Sequence, residues 1–247
     1  MVRQSGGQAF IRLVPNASLQ DEEYKIKTTL DGITLEYASS RGLLWGVQTL
    51  RQMLLQSSAY EGGGRVLPLL TLSDKPEKSW RGFHIDVARH AFTIDYLKKV
   101  IDMLSFYKIN KLQMHLTDDQ GWRMEIKRYP ELTTIGAWRE FDEYDKRCQE
   151  LAQTDASFVI DTRFIRNNSE YGGYYTQEEL SQLVAYASER GIEIIPEIDM
   201  PGHFSAAIRA FPSLSCTNEA GWGTEFSYPI CVGTVSYTHL RAHETLS

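Results

Sequence analysis

Residues 192–203 read IEIIPEIDMPGH, an apolar run that ends in acidic residues, a Pro-Gly turn and a histidine. Two earlier stretches have the same form, residues 81–89 (RGFHIDVAR) and residues 112–123 (LQMHLTDDQGWR). Segments with helical periodicity separate the three stretches, and strands that alternate with helices are typical of a parallel sheet. Polar residues at the carboxyl ends of such strands predict a functional site, so an enzyme is the leading interpretation.

The composition is that of a globular protein. The chain has 247 residues, of which 42% are hydrophobic and 23% charged, which fits one large domain or two smaller ones. A net charge of −6 does not indicate the basic surface patch that binds nucleic acid, so no nucleic-acid partner is expected. No run approaches the roughly 20 apolar residues of a membrane span. The first residues lack the apolar core of a signal peptide, so the sequence leaves the cellular compartment open. For the longer protein of which this chain would be a part, we expect a bacterial periplasmic or secreted location.

Residues 1–75 predict a small α+β domain. Two runs of alternating polar and apolar residues flank Asp31-Gly32, a strong hairpin signal. An amphipathic helix is expected at 41–55 and a further strand at 65–72. Because only about three strands are visible, this domain is expected to be incomplete.

Residues 76–234 predict the main domain. Three strands and two helices are expected there: strands at 81–87, 111–117 and 192–199, and helices at 93–107 and 176–190. Thr93 is expected to cap the first helix; the second is expected to begin with a capping box at Thr176–Glu179 and to end at Gly191. Residues 119–175 show little periodicity and read as a long irregular stretch, of the kind that is usually functional or disordered. The last thirteen residues, 235–247, resemble vector read-through and are expected to be an artefactual or disordered tail.

The third strand end carries the most specific chemistry. Pro201 and Gly202 predict a tight turn that can return His203 towards the carboxylate of Asp199. An Asp–His pair fixes the tautomer of the imidazole and raises its basicity. Glu197, two residues before Asp199, shares its face of the strand. A hydrogen-bonded cluster with a purely structural role is the alternative interpretation.

The second strand end carries two adjacent acids, Asp118 and Asp119. Strand alternation places His115 and Asp118 on opposite faces. The two acids could hold a metal, a sugar hydroxyl or an arginine, although turns favour aspartate in any case. Trp122 is either a ring on which a sugar stacks or a loop anchor.

The first strand begins at Arg81 and ends near Asp86 and Arg89. The guanidinium fork of an arginine suits bidentate recognition of hydroxyls or a carboxylate. An internal ion pair of Arg81 or Arg89 with Asp86 is equally consistent with the sequence.

Three cysteines are present, Cys148, Cys216 and Cys231, with no CxxC pair that would indicate zinc. Cys216 and Cys231 flank a loop and could pair in an oxidising compartment, or could stay free thiols. The sequence favours neither.

Four motifs in this order resemble those of the family 20 glycoside hydrolases, the β-N-acetylhexosaminidases: RGFHIDVAR (81–89), HLTDDQGWR (115–123), GGYYTQEEL (172–180) and IPEIDMPGH (195–203). The hairpin and helix at 21–55 are also similar to the small N-terminal α+β domain of that family. The resemblance covers about residues 20–234.

The resemblance implies an α/β fold, a partial (β/α)8 barrel of about three strands preceded by the small α+β domain. It implies a retaining exo-β-N-acetylhexosaminidase that releases terminal N-acetylglucosamine or N-acetylgalactosamine and needs no cofactor or metal. The partner is then a carbohydrate with a terminal N-acetylhexosamine. Such enzymes are the substrate-assisted exception among glycosidases: the acetamido oxygen of the substrate attacks, an Asp orients it, and the adjacent Glu is the general acid/base.

Individual residues take roles through the same resemblance. Arg81 matches an arginine that binds ring hydroxyls of the terminal sugar. Asp118 matches an acid beside the catalytic Glu, and Asp199 and His203 match a pair that tunes its pKa. The resemblance therefore gives Arg81, Asp118 and His203 as substrate-binding residues, and Glu197 joins Asp118, Asp199 and His203 as support of the active site.

One family feature is missing from the sequence. The catalytic Asp-Glu pair, in a Gly-Gly-Asp-Glu context, does not occur; Asp21-Glu22 and Asp142-Glu143 lie in other contexts. A closed barrel of this type needs about 250 residues by itself, more than follow Trp80. We therefore expect a fragment with no catalytic residue of its own, inactive alone, and the Asp-Glu pair beyond its C-terminus.

Two other classes of protein remain open. A non-catalytic sugar-binding module would use Arg81 and Trp122 as recognition groups. A metal-dependent hydrolase would take its ligands from the acids and histidines of the strand ends, namely His84, Asp86, His115, Asp118 and His203. No two of these form a tight ligand motif such as HExxH. The metal-dependent hydrolase is therefore ranked below the glycoside hydrolase.

Overall fold

The computed structural model describes residues 10–60, 64–218, 230, 231 and 233. The predicted tail at 235–247 lies outside them. The chain divides into two compact units that are interleaved along the sequence. Unit 1 comprises Met1–Phe83, Lys98–Lys111 and Tyr186–Glu193, and unit 2 comprises His84–Leu97, Leu112–Ala185 and Ile194–Ser247. The domain boundaries at 75 and 234 stay predictions.

The structure is α/β. Its strands are β1 Ile11–Pro15, β2 Tyr24–Thr29, β3 Gly32–Tyr37, β4 Ala59–Tyr60, β5 Gly64–Arg65, β6 Thr71–Asp74, β7 Gly82–Asp86, β8 Lys111–Asp118, β9 Gly121–Trp122, β10 Trp138–Glu140, β11 Ile165–Arg166, β12 Glu170–Gly172 and β13 Glu193–Ile198. Its α-helices are α1 Ser40–Gln56, α2 Ile94–Phe106, α3 Glu131–Thr134, α4 Glu143–Thr154, α5 Gln177–Ser188 and α6 Ser205–Ala210. Short 3-10 turns lie at Thr162–Phe164 and Pro212–Leu214. None of the helices within the described ranges combines the length and the apolar character that a membrane crossing needs.

Unit 1 contains a four-stranded sheet in the order β1-β3-β2-β6. Strands β2 and β3 pair antiparallel around the predicted Asp31-Gly32 turn, which confirms the hairpin. Strand β1, which the sequence did not reveal, pairs parallel to β3. Helix α1, predicted at 41–55, packs on this sheet, where Ile26, Leu35 and Trp45 are buried.

The strand predicted at 65–72 is wrong in its extent. The structure has β5 at the start of this segment and β6 from Thr71, with no strand at 66–70 between them. Pro68 lies in this gap, and proline has no backbone N–H for a sheet. The hydroxyl of Thr28 instead accepts a hydrogen bond from the backbone N–H of Leu70, 2.8 Å away.

The second sheet has the order β13-β8-β7 and contains the three predicted strands. At the start of β7 the Arg81 carbonyl accepts from the N–H of Asn110, and beyond its end the Val87 N–H donates to the carbonyl of His115. Strands β7 and β8 therefore run parallel, as predicted. Both predicted helices, α2 and α5, are present between the strands.

The predicted helix caps are confirmed. The hydroxyl of Thr93 accepts from the N–H of Tyr96 at 3.1 Å. At the start of α5 the hydroxyl of Thr176 accepts from the N–H of Glu179, whose carboxylate accepts in return from the N–H of Thr176. Gly191, with φ of +73°, follows α5 as the predicted glycine cap.

The interpretation of 119–175 as an irregular stretch is wrong. It contains helices α3 and α4 and a small antiparallel sheet in the order β10-β12-β11. Helix α4 is strongly polar in composition, and within α4, which the structure describes throughout, only Asp145 is buried. A capping box between Asp142 and Asp145 starts it.

Cys216 and Cys231 form a disulfide, with their Cα atoms 4.9 Å apart. Of the two alternatives that the sequence left open, pairing is therefore the one the structure shows. Cys148 is a free cysteine on α4. The bond closes a loop that follows α6, near the third strand end.

Candidate active site

The centre of the site is the carboxylate of Asp118, the last residue of β8, whose side chain is fully buried. Oδ2 lies 2.8 Å from Nε2 of His115 and 2.6 Å from a guanidinium nitrogen of Arg89. Oδ1 accepts from the backbone N–H of Asp119 at 2.6 Å and lies 3.2 Å from Nδ1 of His203. Three strand ends thus converge on one buried anion.

The predicted placement of His115 and Asp118 on opposite faces is wrong at this strand end. Strand β8 stops at Asp118 and turns directly into β9, with Asp118 paired to Gly121. Because the regular alternation ends there, the Asp118 carboxylate reaches the ring of His115.

The neighbouring acid, Asp119, is also buried. Its Oδ1 accepts from the backbone N–H of Ser205 at 3.1 Å and from the hydroxyl of Ser205 at 2.6 Å. Its Oδ2 lies 3.2 Å from Nδ1 of His203. Two adjacent buried carboxylates are costly without cationic and hydrogen-bonding partners. Of the candidate partners for this acidic pair, the structure shows an arginine, Arg89, on Asp118.

His203 lies at the turn after β13, as the Pro-Gly sequence predicted. The Met200–Pro201 peptide bond is cis, and His203 has φ of +52°, a region that non-glycine residues seldom occupy. This backbone directs Nδ1 to Asp118 and Asp119. The backbone N–H of Asp199 donates to the hydroxyl of Thr117, and its predicted pairing with His203 stays a prediction.

Glu197, on β13, contacts the Asp118 cluster through His115. Its Oε1 is 3.2 Å from Nδ1 of His115, and its Oε2 is 3.3 Å from Nε2 of His84. The amide of Gln113 donates to Oε2 at 2.7 Å. Burial alone would raise the pKa of Glu197, but the hydrogen bonds from Gln113 and His115 outweigh it and hold the pKa below its ordinary value.

The pKa of His115 is shifted upwards. Burial alone would lower its pKa, but the hydrogen bond to Asp118 and the nearby charges of Asp86 and Glu197 together raise the pKa above its ordinary value. The structure therefore favours the charged form of a buried histidine, the result expected when carboxylates surround it.

The two arginines of the first strand lie in different units. Arg81 belongs to unit 1, where its guanidinium donates to Glu22 at 2.6 Å and to the carbonyls of Lys78 and Lys108 at 2.7 Å each. Arg89 belongs to unit 2 and contacts Asp86 as well as Asp118. Of the ion pairs that the sequence allowed, the Arg89–Asp86 pair is the one the structure shows. These partners of Arg81 all lie within unit 1.

Trp122 anchors its loop. Its side chain is buried against Phe204 and Leu132, and its indole N–H donates to the carbonyl of Met124 at 2.7 Å. The loop-anchor interpretation is the one the structure supports.

Arg123, which sequence reasoning did not single out, is completely buried. Its guanidinium donates to four backbone carbonyls from three segments, those of Val87, Ala88, Ala137 and Gly173. Burial lowers its pKa to about 10, which still leaves it charged at neutral pH. Arg123 therefore holds together the loop that carries Arg89 and the two segments packed beside it.

The same strand ends contain side chains that could ligate a metal ion. Among the described residues, three groups of side chains place possible ligand atoms within 4.8 Å of one another: His84, His115 and Glu197; His115, Asp118 and Asp199; and Asp118, Asp119 and His203. Many of these atoms already bond to one another, and Asp118 also pairs with Arg89. A cation would have to displace those partners.

A cavity of about 450 Å³ in unit 2 lies apart from this chemistry. It is lined mostly by residues of the 141–171 segment, five of which are aromatic, and by His90, which follows Arg89 in sequence. It includes none of Asp118, Asp119 and His203. The acid cluster, not this cavity, is therefore the candidate active site.

Comparisons with known families point to one group of proteins. Residues 79–242 match the catalytic domain of glycosyl hydrolase family 20, and residues 2–75 match domain 2 of the same family. The two matches together include every element described above.

Curated relatives carry consistent names. The chain is 39% identical over 206 residues to a beta-hexosaminidase of Vibrio furnissii, a match that covers 83% of this chain and 31% of that protein. It is 36% identical over 217 residues to a beta-hexosaminidase of Porphyromonas gingivalis, covering 86% and 25%. The chain thus spans about a quarter to a third of these relatives.

Solved structures agree with the curated relatives. An N-acetyl-beta-hexosaminidase of Streptomyces plicatus, solved with the ligand Thio-NAglucal, superposes with a TM-score of 0.76 at 33% identity, covering 95% of this chain and 43% of that one. A beta-N-acetylhexosaminidase of Bacteroides fragilis gives 0.74 at 34% identity, covering 96% and 42%.

Proposed function

Because this chain belongs to glycosyl hydrolase family 20, we propose that the full-length protein is a retaining exo-β-N-acetylhexosaminidase. Its substrates are carbohydrates that end in N-acetylglucosamine or N-acetylgalactosamine. The observation that carries the proposal is the buried Asp118 carboxylate, held between Arg89 and His203 at the carboxyl ends of the strands. Such a site suits recognition of a neutral sugar and support of a general acid.

The fold proposal follows the same relatives. Strands β7, β8 and β13 would be the first three strands of a (β/α)8 barrel, with the 1–75 segment as a small α+β domain before it. Support comes from the Streptomyces plicatus enzyme, which this chain matches at a TM-score of 0.76 while covering only 43% of it. The remaining strands would come from the rest of the protein.

The proposed mechanism is substrate-assisted, with the acetamido oxygen of the sugar as nucleophile. The orienting Asp and the general acid/base Glu would lie outside this chain. Asp118 and Asp119 hold Nδ1 of His203, and His203 would in turn form a hydrogen bond to the general acid. That hydrogen bond would tune the proton affinity of the acid during leaving-group departure.

Recognition of the sugar hydroxyls is better assigned by geometry to Arg89 than to Arg81. The Arg89 side chain is 49% exposed, and its charge is fixed at the strand end by Asp86 and Asp118. A guanidinium held in this way can donate to vicinal hydroxyls with little loss of conformational freedom. The Arg81 guanidinium is engaged within unit 1.

No observation favours a sugar-binding module built on Arg81 and Trp122. Trp122 is buried in a hydrophobic cluster, so its ring face is covered by protein. The catalytic proposal uses groups that the structure brings together, and the binding-module proposal uses groups in different units.

Hydrolysis of 4-nitrophenyl N-acetyl-β-glucosaminide tests the proposal with two proteins, the 247-residue chain and the full-length protein. We expect turnover by the full-length protein, release of the β-anomer first, and negligible turnover by the chain. Robust turnover by the chain would refute the proposal that its catalytic acid lies elsewhere. An inactive full-length protein, with both the gluco and galacto substrates, would refute the hexosaminidase proposal.

A further inference from the structure

The ring of His115 is held between two carboxylates. Nε2 lies 2.8 Å from Oδ2 of Asp118, on the same strand, and Nδ1 lies 3.2 Å from Oε1 of Glu197, on the neighbouring strand. The His115 side chain is only 5% exposed. Both ring nitrogens thus point at anionic oxygens away from solvent.

This geometry selects one protonation state. A neutral imidazole has a single N–H, so it can donate to only one of the two carboxylates and leaves a lone pair facing the other. The imidazolium donates to both. The charged groups around the ring come from all three strands: His84, Asp86 and Arg89 from the β7 side, Asp118 from β8, and Glu197 and Asp199 from β13. Carboxylates outnumber cations among them, which favours the charged ring.

We propose that His115 is a positioning residue of the proposed hydrolase site: as an imidazolium held by Glu197, it fixes the Asp118 carboxylate in the orientation that receives His203. The inference rests on the proposed function and extends it to a chain of contacts running from Glu197 through His115 and Asp118 to His203. His115 itself would touch neither the sugar nor the general acid.

The contacts of Asp118 show why such a support is needed. Its Oδ2 faces His115 and Arg89, while its Oδ1 faces His203. Arg89 is half exposed and is shared with Asp86, whereas His115 is packed inside the sheet. Of the two groups on Oδ2, His115 is therefore the one that can keep the carboxylate in place while Arg89 also binds a sugar.

The protonation state can be measured on the 247-residue chain by long-range ¹H–¹⁵N NMR of its histidine rings, with the His115 signals assigned from a His115→Gln variant. We expect both ring nitrogens of His115 to carry protons at pH 7, and Glu197→Gln to lower the pKa of His115. Glu193→Gln, an exposed acid on the same strand whose partner is Lys111, is the matched control and should change nothing. A neutral His115 at pH 7, or signals that change on chelation of metal ions, would overturn the proposal.

The functional part is measured with the full-length protein. Glu197→Gln and His115→Asn should lower kcat by about 10²-fold, the loss that small misplacements of catalytic groups produce, with a much smaller change in KM. Glu193→Gln should keep wild-type kinetics. Equal kcat in wild type and both variants would refute the positioning role. An inactive wild type would instead refute the proposed function, so the two failures can be told apart.

Discussion

The guanidinium of Arg123 donates to the backbone carbonyl of Ala88 at 2.6 Å, one residue before Arg89. The same side chain reaches carbonyls of Ala137 and Gly173 on two other segments. A buried arginine can satisfy several carbonyls at once because its five N–H donors spread in one plane. The position of Arg89 thus depends on a charge that never meets solvent.

Replacing Arg123 with lysine should destabilise the chain by about 2–5 kcal/mol, because one ammonium cannot reach all these carbonyls and buried acceptors are left unpaired. Urea unfolding followed by far-UV circular dichroism measures the change. The matched control is Arg163→Lys, at an exposed ion pair with Asp161, where a change within about 0.5 kcal/mol is expected. Equal losses in the two variants would contradict the role given to Arg123.

The Cys216–Cys231 bond closes a loop with a sequence separation of 15 residues. Cys216→Ser with Cys231→Ser should therefore lower stability by about 3 kcal/mol, through the greater freedom of the unfolded chain. Cys148→Ser, at the free cysteine, is the control. Thiol titration of the unfolded, unreduced chain should find one reactive thiol, and three would show that the disulfide is not formed.

The ion pair of Asp86 and Arg89 should make the free energy of unfolding depend on pH in the acidic range. Burial alone would raise the pKa of Asp86, but hydrogen bonds from the backbone and side chain of Arg89 outweigh it and hold the pKa below its ordinary value. The unfolded chain then binds more protons than the folded chain below about pH 4, so this contribution is present at neutral pH and disappears as the pH falls through the folded pKa.

Unfolding free energies of wild type and Asp86→Asn, measured from pH 6 to pH 3, test this. The difference between the two proteins should be largest near pH 6 and shrink below pH 4. In the Arg89→Gln background the Asp86 substitution should have a smaller effect, since the cause of the lowered pKa is gone. A difference that stays constant with pH would contradict the assignment.

Substitution of the two arginines in the full-length protein separates their roles. Arg89→Ala should lower kcat/KM about 10- to 100-fold, as expected for loss of charged hydrogen bonds to the sugar. Arg81→Ala should leave kcat/KM close to wild type and instead reduce stability, because the 2.6 Å ion pair between Arg81 and Glu22 is lost. The reverse pattern would restore Arg81 as the sugar-binding residue.

Replacing His203 or Asp199 with alanine in the full-length protein should reduce turnover and shift the pH profile of kcat, since both are assigned to the support of the general acid. Thr134→Ala, at an exposed hydroxyl of helix α3 that bonds only its own helix start, provides a control. Unchanged kinetics for both His203 and Asp199 variants would remove their assigned role.

Local patterns were enough to predict the elements that position the site. Strands β7, β8 and β13 have strong apolar runs, and the caps at Thr93 and Thr176 depend only on nearby residues. The hairpin at Asp31-Gly32 is equally local. These features could be predicted because their causes lie within a few residues of one another.

Features that depend on distant parts of the chain were missed or misplaced. The pairing of β1 with β3 has no local signature, and α4 is so polar that only one of its residues is buried. The bonds of Arg123 to remote carbonyls leave no pattern in the sequence. Arg81 precedes β7 and Arg89 follows it, and residues after a strand lie at the carboxyl edge of a parallel sheet. The sequence-based assignment of Arg81 to the sugar stays a prediction.

The buried carboxylate of Asp118 draws its partners from three separate places in the chain: Arg89 follows β7, His115 lies within β8, and His203 follows β13. A substitution in any of these segments therefore changes the surroundings of the same acid. Substitutions in two of them should consequently have non-additive effects.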